Sequence, residues 1–389
     1  MTMSKPIIIG GGPVGATLAL ALQQQGIATT VLEARPRGAS HRDQRALALS
    51  FGSRMILERL GLWQVLANDA TAIDRIHISQ RGSFGRSLLK AEDHGQEALG
   101  YVVSYGALSQ VLDDALTQQA EVEVLYGAEA RLLEPGPHAA VVDFVVADQP
   151  HRQETSLAVL ADGGRGLGEI PGITRKTKEY GHDALVSIVR CELPHDNVAY
   201  ERFTPAGPMA LLPNGPHDFS LVWTGASADI EQLLALDDQS FLQSLHAQFG
   251  DRVGRFLTIG KRLSFPLRLS YLEPSTAPHL AIIGNAAQTM HPVAGQGFNV
   301  GMRDAWELAN VVSSHPVDAW GSETMLDSYR QQRRQDTRGG VLFTDFLVNT
   351  FSNDVVGLSG LRALALSMLD VAQPLKHRLV RKMSYGARG

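Results

Sequence analysis

Ile9-Gly10-Gly11-Gly12-Pro13-Val14-Gly15 decides how this chain begins to fold. The apolar run Lys5–Ile9 ahead of it predicts a short buried strand, and the Ala- and Leu-rich segment Val14–Gln25 behind it predicts a helix. Ala28–Leu32 predicts the next strand, ending at Glu33, so the whole reads as a βαβ unit. In that frame Gly10, Gly12 and Gly15 fit G-x-G-x-x-G. Gly10 permits the tight turn, Gly12 lets a pyrophosphate approach the backbone, and Gly15 lets the helix close on the strand. The N–H groups at the helix start offer an anion site. Pro13 is tolerated there because a first-turn N–H has no helical partner. Glu33 ends the second strand at the spacing of an acid that accepts hydrogen bonds from ribose hydroxyls. A purely structural glycine turn is the ordinary alternative; strand, helix and acid together count against it. The turn by itself does not separate FAD from NAD.

A second cluster makes that distinction. Gly284-Asn285-Ala286-Ala287-Gln288-Thr289-Met290-His291-Pro292-Val293-Ala294-Gly295-Gln296-Gly297-Phe298-Asn299-Val300-Gly301-Met302-Arg303-Asp304 follows a short apolar strand at Leu280–Gly284. Its small residues predict a loop, with a helix starting near Gly297. Such a loop can set backbone N–H groups against a flat, electron-accepting ring. A helix N-terminus there would stabilise negative charge at the N1–C2=O edge of a flavin.

Composition bounds the rest. The chain has 389 residues, enough for two or three domains, with 44% hydrophobic and 19% charged residues, as in an ordinary globular protein. The net charge of −5 (35 Lys and Arg against 40 Asp and Glu) argues against non-specific nucleic-acid binding. Cys191 is the single cysteine, so an internal disulfide and a Cys-rich metal site are excluded. A reducing compartment fits, and Cys191 is expected to be a small buried apolar residue. Neither a signal peptide nor a membrane-spanning run is expected; Val355–Ala372 is interrupted by Gly357, Gly360, Arg362 and Asp370.

Between the two glycine clusters the texture changes. Helices are expected at Ser53–Leu66 and Leu108–Gln119, and strands at Ile73–Ser79, Val122–Tyr126, Ala139–Ala147 and Leu157–Ala161. From Tyr180 to Leu272, strands at Leu185–Leu193, Tyr200–Phe203, Met209–Leu212, Phe219–Thr224 and Leu263–Leu269 suggest a mostly antiparallel sheet, interrupted by one helix at Ser240–Phe249. The expected fold class is α/β: a Rossmann-like domain with an inserted, mostly antiparallel sheet domain and a C-terminal helical region. The expected division is a discontinuous nucleotide domain (1–75, 100–178, 273–330), a sheet domain (76–99, 179–272) and a helical region (331–389).

These segments resemble the class A flavoprotein monooxygenases and, within them, the ubiquinone-biosynthesis hydroxylases. Further carriers are Asp43-Gln44-Arg45-Ala46-Leu47-Ala48-Leu49, Glu201-Arg202-Phe203-Thr204 with Gly207-Pro208 and Leu212-Pro213, and Tyr329–Asp336 followed by Thr344-Asp345. Ala287-Gln288-Thr289 and His291-Pro292 are closest to the branch that acts on 2-octaprenyl-6-methoxyphenol. The resemblance implies an FAD-dependent hydroxylase that uses NAD(P)H and O2 on a polyprenylated phenol through a flavin C4a-hydroperoxide. It implies that Gly10, Gly12, Pro13, Gly15, Glu33, Arg45, Gln110, Asp162 and Asn285 hold FAD. It assigns Pro292, Gly295, Gly297, Phe298 and Asn299 to the loop against the flavin ring. His291 and Pro292 are the catalytic candidates, with structural support of the loop the equal alternative for His291. Phe203, Met209, Leu211 and Trp223 are candidates for the substrate pocket, against the plainer reading that they are sheet core. The sequence departs from the family after Asp162-Gly163: Gly166 replaces the usual hydroxyl residue and Glu169 stands near the usual base. That puts nicotinamide contacts in doubt and keeps a non-catalytic FAD-binding assembly subunit in view, beside a hydroxylase of a soluble aromatic compound.

Near the C-terminus Leu375, Leu379 and Met383 repeat every four residues among Lys376, Arg378, Arg381 and Lys382. The pattern suggests a basic amphipathic helix that rests on an anionic membrane, or packs on the protein body with its basic face in water. A cytoplasmic protein, peripheral on the inner face of a membrane and in contact with other ubiquinone-pathway proteins, is the corresponding expectation.

Overall fold

The computed structural model describes residues 5–82, 85–164, 168, 170–289, 296–336 and 373–386. Its first strand, β1 (Ile7–Ile9), lies inside a six-stranded sheet. β1 pairs in parallel with β2 (Thr29–Glu33) on one side and with Ala158–Leu160 on the other. Val122–Tyr126 extends the sheet beyond β2, and Leu280–Ile282 extends it beyond Ala158–Leu160. A short antiparallel strand, Thr276–Ala277, closes that edge. The continuous Ile-Ile-Ile run of β1 follows from burial on both faces.

One face is covered by helices. α1 (Pro13–Gln24), Tyr105–Thr117 and Gln296–Ser313 bury Leu18, Leu22, Leu108, Leu112, Met302 and Leu308 against Ile8 and Val31. Each such side chain contributes about 1.5–3 kcal/mol. The other face is covered by a three-stranded antiparallel sheet, Glu129–Glu134, Ala140–Val146 and Gln149–Thr155, whose Leu133, Val142 and Phe144 meet Ile7, Ile9 and Leu32. Only the middle strand of that sheet is expected from sequence. Its partners carry charged residues on exposed positions, which mask the apolar alternation.

The second large sheet has nine strands. Its spine runs through Leu263–Glu273, Thr174–Cys191, Asp218–Ala226, Gly207–Asn214 and Val198–Thr204, all antiparallel. Arg75–Gln80 then joins Val198–Thr204 in parallel and carries Arg86–Lys90. Helices Ser227–Ala235 and Asp238–Phe249 cover one face with Ile230, Phe241 and Leu245; the first of them is absent from the sequence expectation. Cys191 is buried in that core, and burial pushes its thiol up to about 12.

Two expected elements differ in detail. The helix expected at 53–66 is split into Phe51–Arg59 and Trp63–Leu66, because Gly61 turns the chain at a φ of 75°. The expected strand Leu185–Leu193 is the end of an 18-residue strand whose register shifts between Glu179 and His182. Among the described residues no helix is long and apolar enough to cross a membrane.

Gln373–Tyr385 is helical, but its docked face is shifted by one residue from the expected stripe. Lys376, Val380 and Ser384 are the buried positions, Val380 against Leu89 and Leu99. The Lys376 Nζ donates to the Leu88 carbonyl at 3.1 Å. Leu379 and Met383 are only half-buried, and the Leu375 side chain lies outside the described residues. Arg378, Arg381 and Lys382 are exposed.

Candidate functional site

The first glycine turn is built as its sequence requires. Gly10 adopts a φ of 106°, and a Cβ there would sit 2.6 Å from the Ala161 carbonyl oxygen. Gly15 lies inside α1, where a Cβ would be 1.9 Å from the Gly10 oxygen. Gly12 is different. It is the N-cap of α1, and its nearest neighbour would be the Tyr105 hydroxyl at 3.6 Å, so the space above it is open to a ligand. No side chain caps α1, which leaves its first N–H groups directed outward.

Glu33 is 8% exposed and holds this turn to the next one. Its Oε2 accepts from the Gly11 N–H at 2.8 Å, and its Oε1 accepts from the Arg35 backbone N–H at 3.0 Å and from Arg35 Nε at 2.8 Å. Arg35 also donates to the Ser40 hydroxyl. Two carboxylate oxygens have about four acceptor positions, so one remains for a ligand hydroxyl. Arg35 was not singled out by sequence; its charge and its place two residues after the acid were the available signals. Arg45 pairs with Asp43 and lies over the Tyr105 ring at 5.2 Å. Gln110 is exposed on the Tyr105–Thr117 helix.

Asp162 and Asn285 converge on the same turn. The Asp162 Cα packs against Gly10, Asp162 Oδ1 accepts from the Gly164 N–H at 2.8 Å, and a Cβ on Gly164 would stand 3.5 Å from the Asn285 carbonyl oxygen. The Asn285 side chain is exposed. Arg165, Gly166, Leu167 and Glu169 lie outside the described residues, as do His291, Pro292 and Gly295.

Both described flanks of the second cluster are anchored to the first. Val14 fills the space at Gly284 and Gly301: Cβ atoms on them would meet Val14 at 3.1 and 2.9 Å. Gly297 and Phe298 are half-buried on the first turn of the Gln296–Ser313 helix. The Asn299 side chain is buried and ties the start of the helix to the Ala46–Ser50 strand and the helix after it. Its Oδ1 accepts from the Ser50 N–H at 2.8 Å and from the Ser53 hydroxyl at 2.7 Å, while its Nδ2 donates to the Ala48 carbonyl at 2.8 Å.

A buried ion cluster fixes the other end of that loop, and sequence did not assign it a role. Asp304 Oδ2 accepts from the Gly284 N–H at 3.0 Å and from Gln288 Nε2 at 3.1 Å, and its Oδ1 takes Arg333 Nε at 2.6 Å. Arg333 and Arg303 each meet Asp336 at 2.7 Å. Burial raises the Asp304 carboxyl against the pull of Arg333. At Asp336 burial acts the same way, but Arg303 and Arg333 prevail and hold it at about 2.

The large sheet has two unlike faces. Met209, Leu211 and Trp223 point into the core under helices Ser227–Ala235 and Asp238–Phe249. Phe203 stands on the opposite face, because it pairs with Pro208 while Arg202 pairs with Met209. The four expected pocket residues are therefore not brought together. Trp223 borders a cavity of 490 Å³, but beneath the helices, beside Ile230 and Leu233. The Phe203 face carries Ile76, Ile78, Gln80, Val186, Glu201, Leu212 and Val222, all half-buried, whereas the helix-side residues between them are mostly buried. Leu212 on that face packs toward Ile73 and Val102 of the small sheet that includes Ala46–Ser50.

Comparison with known proteins follows the same outline. A family described as FAD binding domain matches residues 3–343. Ubiquinone hydroxylase UbiL of Rhodospirillum rubrum is 35% identical over 96% of this chain and 88% of its own length. The 3-demethoxyubiquinol 3-hydroxylase of Escherichia coli is 30% identical over 96% of each chain. Among solved structures, p-nitrophenol 4-monooxygenase PnpA of Pseudomonas putida superposes with a TM-score of 0.81 at 15% identity, covering 100% of this chain and 99% of that one.

Proposed function

The chain belongs to the FAD binding domain family, and from that premise we propose that it hydroxylates a prenylated phenol of ubiquinone biosynthesis. It is an FAD-dependent monooxygenase with NAD(P)H as electron donor. The residues fit the cofactor: the open backbone at Gly12 and the uncapped start of α1 suit a pyrophosphate, and Glu33 keeps an acceptor for a ribose hydroxyl. When bound, FAD carries two electrons from NAD(P)H to O2, one oxygen atom entering the phenol ring and the other leaving as water.

The protein's own part is to bind, orient and exclude water. Val14, Gly284 and Gly301 lock the two glycine segments together, so that both ends of a long cofactor are positioned by one contact. The observation that carries the substrate class is the half-buried apolar face of the large sheet, where Ile76, Ile78, Val186, Leu212 and Val222 offer a wall without Lys or Arg. Such a wall suits a prenyl chain and ring. A small anionic aromatic would require a cation there, which disfavours the soluble-substrate alternative. The exposed Arg378, Arg381 and Lys382 on the last helix favour delivery of such a substrate from an anionic membrane surface.

The test is NAD(P)H oxidation by FAD-loaded protein with and without a short-chain prenylated phenol, with mass analysis of the product. A product one oxygen atom heavier is expected. Flavin that NAD(P)H fails to reduce with every such phenol would overturn the reading in favour of a non-catalytic FAD protein.

Glu33→Gln supplies a narrower check on the cofactor site. The amide keeps one acceptor oxygen but cannot hold the Gly11 and Arg35 N–H groups on two oxygens at once. FAD affinity should fall about 10- to 100-fold, since charge-assisted bonds contribute roughly 1.5–3 kcal/mol. Flavin titration of the apoprotein measures it; an unchanged Kd would remove Glu33 from the site.

A further inference from the structure

One carboxyl stands alone on the apolar face of the large sheet. Glu201 lies on the Val198–Thr204 strand and pairs with Ala210 on one side and Ile78 on the other. Its side chain is surrounded by protein atoms yet keeps some accessible surface. It has no hydrogen-bond or ion-pair partner among the described residues, although Arg202 next to it donates to the Gln248 carbonyl on the opposite side. A buried carboxyl without a partner is costly relative to an apolar residue, so its retention calls for a ligand.

A second unmet group lies beside it. Gln80 pairs with Phe203, which places Gln80 diagonally next to Glu201 on the same face. The Gln80 Oε1 is buried and has no partner. Around the two, the face presents Ile78, Ala210, Leu212 and Val222, none of which can bond to them. The pair is thus two oxygen acceptors in an apolar wall, complementary to one hydroxyl donor on an otherwise apolar molecule.

We propose that Glu201, with Gln80 beside it, receives the hydroxyl group of the phenol substrate and so fixes which ring carbon faces the flavin. This rests on the prenylated-phenol reading above and adds to it the residue that recognises the phenol. The phenolic O–H donates to the Glu201 carboxylate, or accepts from the carboxylic acid when Glu201 is protonated. The ionised form also enriches the ring in electrons, as hydroxylation requires. Burial pushes Glu201 up to about 8, so both forms are present near neutral pH. No charged group shares its face on the neighbouring strands, which present Ile76, Ile78 and Gln80 on one side and Ala210 and Leu212 on the other. His77, Tyr200 and Arg202 point to the opposite face.

The experiment uses the full FAD-loaded chain and follows the perturbation of flavin absorbance on titration with a short-chain prenylated phenol and with its O-methyl ether. Wild-type protein should bind the phenol more tightly than the ether, with an affinity that changes between about pH 6 and pH 9. Glu201→Gln should weaken phenol binding about tenfold or more, leave ether binding within about twofold, and flatten the pH profile. Gln80→Leu should weaken phenol binding without flattening that profile. Equal binding of phenol and ether by wild-type protein, or phenol binding by Glu201→Gln that matches wild type at every pH, would overturn the assignment while leaving the hydroxylase reading intact. Wild-type protein whose flavin responds to neither compound and whose NAD(P)H oxidation neither stimulates would overturn both.

Discussion

Gly15→Ala is expected to yield a protein that has lost its flavin and much of its stability. The new methyl carbon would lie 1.9 Å from the Gly10 carbonyl oxygen, far inside contact distance, and the obstacle is backbone. The clash can be relieved only by lifting the start of α1 off β1. That movement pulls on a helix whose residues from Gly15 to Leu22 are all buried. It also displaces Val14, the residue that spaces Gly284 and Gly301. The cost should be about 3 kcal/mol or more, in the range of severe overpacking. Gly12→Ala provides the contrast. Its methyl group meets only the Tyr105 hydroxyl, at 3.6 Å. The apoprotein should therefore unfold at the wild-type temperature while FAD affinity falls, because the methyl group occupies the space the pyrophosphate needs. Flavin content of the two variants as purified, and thermal unfolding of their apoproteins, measure both effects. Wild-type flavin content in Gly15→Ala would show that the two glycine segments are not held in the tight register described.

How much of this was legible in the sequence depended on how local each constraint is. The Gly10–Gly15 turn could be read because strand, turn, helix and acid all fall within Lys5–Glu33, where steric need and residue type map one to one. Asn299 could not. Its partners Ala48, Ser50 and Ser53 are some 250 residues away in the chain, and an Asn in a glycine-rich loop looks the same whether it serves a ligand or the protein. That the four candidate pocket residues fall on two faces of the sheet has a sharper cause. Phe203 and Met209 lie on adjacent strands joined by the two-residue turn Pro205-Ala206, with Thr204 opposite Gly207. That pairing reverses the parity between the strands, so odd numbers face one way before the turn and the other way after it. Period-two counting along one strand cannot reveal this. The same reversal puts Glu201 on the apolar face, opposite to Met209 and Leu211. The last helix was misjudged by one position because two of its buried residues, Lys376 and Ser384, are polar. An apolar-stripe count passes over a lysine whose ammonium group is bound to the Leu88 carbonyl.

Glu201 also links stability to pH in a direction opposite to that of the buried ion cluster. A Glu raised to about 8 stays protonated in the fold while the unfolded chain ionises above its ordinary value of 4.5. Stability is then lost as pH rises from about 4.5 to 8. Asp336, held at about 2, contributes stability that is present above its ordinary 3.8 and is lost as pH falls toward 2. Glu201→Gln should accordingly raise the unfolding temperature at pH 8 more than at pH 5, a signature that thermal scans at the two values would detect.

Arg333→Met should be the most damaging single change in the C-terminal half, and for a reason that reaches the second glycine segment at Gly284. Arg333 is 7% exposed and is the counter-charge to both Asp304 and Asp336. Met keeps the apolar stem of the side chain but leaves Asp304 buried with no opposing charge. Removing one partner of such a cluster costs about 3–5 kcal/mol, because the desolvation penalty of the other remains. Asp304 must then take up a proton. The proton settles on Oδ1, the oxygen that Arg333 vacates, so Oδ2 still accepts from the Gly284 N–H and Gln288 Nε2 but as a weaker, uncharged acceptor, and the loop start at Gly284 loosens as well. The expected result is a drop in unfolding temperature of roughly 5–10 °C and weaker FAD retention. The double variant Arg333→Met with Asp304→Asn separates the charge effect from loss of packing. If the uncompensated carboxylate is the main cost, the pair of changes should be less harmful than the sum of the two single ones by about 1–3 kcal/mol. Simple additivity in denaturant unfolding would mean that Arg333 acts through packing alone and that Asp304 holds Gly284 without its help.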